Sequence, residues 1–128
     1  MRPELRQAYP CLKREWVAHG RVRRMDGVKG IPDFLLTYDH WPRIAIFTEV
    51  KAVGSPRQMI GLDRSQAIRL QDLFCCGLLA RVLVRVSERS WAACGGPFLD
   101  AKSNQINLHI DESWREGPRL TPDLLLGD

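Results

Sequence analysis

Apolar positions along the chain keep two different periods, and the points where one gives way to the other divide it into elements. From Pro3 to about His19, Leu5, Leu12, Trp16 and His19 recur at roughly helical spacing, which predicts a first helix. Pro10 has no amide to donate, so it kinks that helix or divides it, and Gly20 is a good stop. The period then falls to two. RVRRM (21–25) reads as a short edge strand, DGVKGIP as a turn region, DFLLTY (33–38) as a strand, and DHWP as its turn. RIAIFTEVKAV (43–53) follows as a second, antiparallel strand.

After the turn-rich loop GSPRQMIG, Asp63 is a good N-cap for a helix over about 64–76, with Leu70, Leu73 and Phe74 facing the sheet and Gly77 ending it. LARVLVRV (79–86) alternates strongly. A helix joining two strands through short connections is a crossover, so this strand is expected parallel to one strand of the hairpin. Beyond Ser87 the pattern weakens: GGPF marks a turn, INLHID (106–111) a candidate late strand, and TPDLLLGD a short terminal helix or tail. The order α-β-β-β-α-β predicts an α/β layer with a mixed central sheet flanked by helices. One domain over 1–128 is expected, with its core at about 3–86 and a peripheral extension at 87–128.

Against that periodicity, two residues stand out. Side chains alternate along a strand, so Arg43, Ala45, Phe47, Glu49 and Lys51 share one face of the second hairpin strand. Asp33 opens the partner strand, and in an antiparallel pair the start of one strand lies beside the end of the other. Asp33, Glu49 and Lys51 therefore converge. Close carboxylates repel unless a cation sits between them or one stays protonated. Mg²⁺ takes one or two carboxylates, a carbonyl such as that of Val50, and waters. As an ammonium Lys51 cannot ligate a metal, but it can orient a water or balance charge on a phosphorane-like transition state, and as the neutral amine it can deprotonate that water. The alternative is a plain ion pair beside an N-capped helix, and E-x-K alone arises by chance in roughly every second chain of this length.

Composition narrows the setting. A chain of 128 residues, 45% hydrophobic, can bury one core. No apolar run reaches membrane-span length and the N-terminus lacks a secretion-signal core, so a soluble cytosolic protein is expected, in host cytoplasm if phage-encoded. Cys11, Cys75, Cys76 and Cys94 form no C-x-x-C pair and read as buried reduced thiols. His19, His40 and His109 are isolated and read as capping or packing residues; Trp16 and Trp41 read as core or turn packing. Residues 1–30 hold eight Lys/Arg against three acids, a local +5 in a chain of net +4. That suits a polyanion such as nucleic acid, as it suits a solvated face.

GIPDFLLTY, IAIFTEVKA and LDRSQAIRLQDLFCCGLLARVLV, continuous over residues 30–86, resemble the PD-(D/E)XK nuclease superfamily, most closely its VRR-Nuc group. Holliday-junction resolvases are similar in the core. The resemblance implies a restriction-endonuclease-like αβββαβ fold and a Mg²⁺-dependent deoxyribonuclease, with Mn²⁺ as substitute. Asp33 and Glu49 would be metal ligands, Val50 would give its carbonyl, and Lys51 would be the catalytic lysine. Gln66 matches the family's helix glutamine, although Asp63-x-x-Gln66 is also a capping-box pattern. A first-helix glutamate would complete the metal site, with Glu4 preferred and Glu15 as the alternative. Arg23, Arg24, Lys29 and Arg57 flank the site and are candidates for phosphate contacts. So short a chain leaves little room for a base-reading domain, so branched or junction DNA is the expected substrate, and a homodimer would supply two sites. No organic cofactor or membrane partner is implied. The rivals are a silent nucleic-acid-binding module of the same fold and a small structural or interaction protein.

Overall fold

The structure, a computed structural model, describes residues 10–16, 20–25, 29–41, 43–55, 57–86, 90–96, 98, 105–108, 110 and 114–126. Residues 10–15 are helical and form α1, with Pro10 the first residue of that described run. The strands β1 (Gly20–Arg24), β2 (Phe34–Tyr38) and β3 (Ile44–Val53) follow. A short β4 (Ile60–Asp63) leads into α2 (Arg64–Cys75), β5 (Ala80–Val86), β6 (Ser90–Cys94), β7 (Gln105–Leu108), β8 (Arg115–Gly117) and α3 (Pro122–Leu126).

Six strands form one mixed sheet in the order β1-β2-β3-β5-β6-β8, and β4 pairs with β7 in a separate two-stranded sheet. β2 and β3 are antiparallel, and β5 lies parallel to β3 with Val50 beside Leu83, as the crossover through α2 requires. β3 and β5 are the two middle strands, and β5 is covered along its length. Val82, Leu83 and Val84 are fully buried, because helices cover it on both sides.

Two clusters mark the two faces of the sheet. Leu12, Trp16, Phe34, Leu36, Ile46, Val50, Trp91 and Leu125 pack on the side of α1 and α3. Leu62, Ala67, Leu70, Val82, Val84 and Phe98 pack on the side of α2. Each fully buried leucine or valine contributes roughly 1.5–3 kcal/mol. α3 is held from below by Arg81, whose guanidinium donates to the Leu125 and Leu126 carbonyls. Burial pushes that guanidinium below its ordinary pKa.

Several expectations need correction. The segment 87–128 is not peripheral: β6 and β8 extend the main sheet, and Trp91, Leu120 and Leu124 belong to the core. β4 lies where a loop was expected, because its partner β7 is distant in the chain. Phe74 is 42% exposed instead of facing the sheet, whereas Leu70 is buried. Cys75 and Cys76 are exposed, and Trp41 is 91% exposed where packing was expected. His19 and His109 lie outside the described residues.

Candidate functional site

The β2–β3 register pairs Phe34 with Thr48, and one step further sets Asp33 across from Glu49. Asp33 is held there by its own side chain: Oδ2 accepts the Val50 amide at 3.0 Å. In an extended strand a residue's N–H and C=O point to the same edge, so the Val50 carbonyl also faces the Asp33 side. The approach to Asp33 depends on Gly30. It has φ of 82°, and a Cβ there would stand 2.5 Å from the Ser65 carbonyl oxygen in the first turn of α2. The glycine thus lets the GIPD segment lie directly on the helix start, and Asp33 is delivered beside it.

Glu49 projects from β3 towards α2 and is fully buried. Gln66, itself 7% exposed, donates its amide to Glu49 Oε1 at 2.7 Å. The Gln66 carbonyl oxygen accepts the Asp63 amide at 3.0 Å and stands 3.5 Å from Lys51 Nζ. Lys51 Nζ is 3.8 Å from Glu49 Oε1, with its side chain only 12% exposed. The two readings of Gln66 are therefore one arrangement. Its oxygen satisfies an orphan amide at the helix start while its nitrogen fixes the carboxylate. A fully buried carboxylate is costly unless it is paired and hydrogen-bonded, and a chain selected for stability alone would place an apolar residue at position 49.

Asp33, Glu49, Lys51 and Gln66 are thus brought together at one end of the sheet. Glu15 is not. It lies on the opposite face, with Oε2 2.9 Å from Arg85 Nη1 and Oε1 accepting the Trp91 indole N–H at 3.2 Å. Arg85 also covers the Trp91 ring, 4.8 Å from its centroid. Glu4 lies outside the described residues. Among the described residues no three His, Cys, Asp or Glu side chains form a metal cluster. The two carboxylates and the Val50 carbonyl are nonetheless hard oxygen donors of the kind Mg²⁺ takes, with waters completing its shell. The donor set fits such an ion.

The basic candidates are dispersed. Arg23 is exposed on the α2 side of β1, opposite Leu35, and Arg24 is exposed on the other side, opposite Phe34. Lys29 is exposed next to Gly30. Arg57 is exposed in the loop after β3, where its amide donates to the Ser55 hydroxyl at 3.2 Å and Gln58 ties back to the Gly54 amide at 3.0 Å.

No protein-family model and no curated protein sequence matches the chain. Among solved structures it is similar to Hjc of Archaeoglobus fulgidus, a Holliday junction resolvase from an archaeal hyperthermophile. The TM-score is 0.54 and the identity 19%, over 84% of this chain and 85% of that one. The chain has the restriction-endonuclease-like fold of that resolvase, a mixed sheet flanked by helices.

Proposed function

We propose that the chain is a divalent-metal-dependent DNA endonuclease of the PD-(D/E)XK superfamily, in the VRR-Nuc arrangement, selecting branched or junction DNA by shape. The observation that carries this reading is the contact set of buried Glu49 with Gln66 and Lys51, beside an Asp33 tied to the Val50 amide. Asp33, Glu49, the Val50 carbonyl and Glu4 would hold Mg²⁺ or Mn²⁺. When bound, such an ion neutralises phosphate charge and makes water a better nucleophile at neutral pH.

The rest falls to the chain's own side chains. In hydrolysis a water oxygen bonds to phosphorus while one phosphorus–oxygen bond to sugar breaks. The water gives up a proton and the leaving oxygen gains one. Lys51 orients that water and offsets charge developing on the phosphoryl oxygens. Gln66 positions Glu49 and Lys51 through its two ends, so it is a positioning residue. Arg23, Arg24, Lys29 and Arg57 bind phosphates around the cut.

The fold shared with a junction resolvase supports a branched substrate and, for two symmetric cuts, a homodimer. The cytoplasm, or host cytoplasm for a phage-encoded chain, is the proposed compartment. The test is incubation with duplex, single-stranded and four-way-junction DNA, with and without Mg²⁺. Metal-dependent cutting of the junction, lost in Lys51→Ala and Asp33→Ala, is the expected result. Binding without cutting in either Mg²⁺ or Mn²⁺ would make the chain a silent binding module instead.

A further inference from the structure

Among the described residues α2 packs over β5 and the β4–β7 pair, and no described helix packs over the β1, β2 and early β3 positions on that side. Those positions follow from the register: Arg21 and Arg23 on β1 face out with Thr37 and Leu35 on β2, which stand opposite Ala45 and Phe47 on β3. Arg21, Arg23 and Ala45 are exposed, and Leu35, Thr37 and Phe47 are only partly covered. On the other side of the same strands Phe34, Leu36 and Ile46 are fully buried. At one end of this open face lies the Glu49–Lys51 cluster. At the other is the β2–β3 turn with exposed Arg43 and Trp41, the latter 91% exposed.

The geometry points to a nucleic-acid shelf on this open face, with Trp41 stacking on an unpaired base some distance from the cut. This rests on reading the chain as a nuclease. Charge selects the occupant: Arg21, Arg23 and Arg43 line the shelf. Its acids among the described residues are Asp39 at the tip and the site carboxylates at the far end. A basic groove ending in an exposed aromatic is how sequence-tolerant proteins hold unpaired strands, because every base offers a face for stacking. At a solvent-exposed turn, Trp41 packs against little else among the described residues. Five residue steps from Ile44 to Glu49 span about 17 Å of strand, and Trp41 lies beyond Ile44 at the turn, so the stacked base is set well away from the scissile phosphate.

Trp16, Trp91 and Trp114 are 5%, 0% and 7% exposed, so quenching of intrinsic fluorescence by iodide reads Trp41. The full chain, in EDTA to prevent cutting, is titrated with a continuous duplex and with the same duplex carrying a three-nucleotide gap. We expect the gapped DNA, but not the continuous duplex, to abolish iodide quenching. Trp41→Ala should weaken gapped-DNA binding roughly 5- to 150-fold while changing duplex binding less than about twofold. Trp41→Phe should retain most of the affinity. Each of Arg21→Ala and Arg43→Ala should lower the slope of log affinity against log salt by about 0.9.

Continued iodide access to Trp41 in the gapped complex, or equal affinity of Trp41→Ala, overturns the shelf and leaves the nuclease reading intact. So does a change of sedimenting mass in Trp41→Ala with unchanged DNA binding, which would make the face a contact between copies. Failure of the wild-type chain to bind either DNA overturns both.

Discussion

Replacing Gln66 with alanine removes a side chain that touches Glu49, Lys51 and the Asp63 amide at once. The hydrogen bond to the buried carboxylate is charge-assisted, worth about 1.5–3 kcal/mol. Leaving the Asp63 amide to water adds about 0.5–1 kcal/mol on the scale of capping interactions. The variant should therefore lose about 2–4 kcal/mol. At about 4 °C per kcal/mol for a domain of this length, the midpoint should fall roughly 8–16 °C. Urea unfolding and calorimetry in EDTA measure this without interference from bound metal. A double-mutant cycle with Glu49→Ala isolates the contact, because the two losses overlap when the groups touch. A Gln66→Ala cost below about 0.5 kcal/mol, or strict additivity with Glu49→Ala, would show that the contact does not exist in solution.

Gly30→Ala and Gly77→Ala make a matched pair, both at positive φ, but only position 30 would drive a Cβ into backbone. Gly77→Ala should cost about 1 kcal/mol of stability and leave junction cutting unchanged, whereas Gly30→Ala should cost more and lower cutting per folded molecule by displacing Asp33. Glu15→Gln should destabilise by about 2–3 kcal/mol in chemical unfolding, since it removes the carboxylate charge paired with partly buried Arg85, yet leave cutting per folded molecule intact. Loss of cutting there, with Glu4→Ala active, would return Glu15 to the metal site.

Legibility in the sequence followed the range of the interactions. β2, β3, α2 and β5 were readable because alternation, the Asp63 cap and Gly77 act within a few residues of the elements they define. β6, SWAAC, escaped notice because three consecutive residues are buried and alanine carries little strand preference. β4 has four residues and a partner more than forty positions away, so no local pattern announces it. The Glu15–Arg85 pair joins residues seventy apart and was equally invisible. Glu49 and Lys51 were visible as polar intrusions in an apolar strand, and strand register alone placed Asp33 beside them. Gln66 was visible twice, as a capping residue and as a family position, and only the three-dimensional contacts show that one side chain can serve both. For Trp41, the signal was its setting in DHWPR, a tryptophan among turn and charged residues, where little apolar surface is at hand to cover it.

The central claim is that Asp33 and Glu49 share one divalent ion. Anomalous diffraction from crystals soaked in Mn²⁺ tests it directly. The account predicts a single peak bonded to a carboxylate oxygen of each, about 2.1 Å away, with the Val50 carbonyl in the same shell and Lys51 Nζ nearby but unbonded. A peak confined to other residues, with neither Asp33 nor Glu49 in its shell, would contradict it.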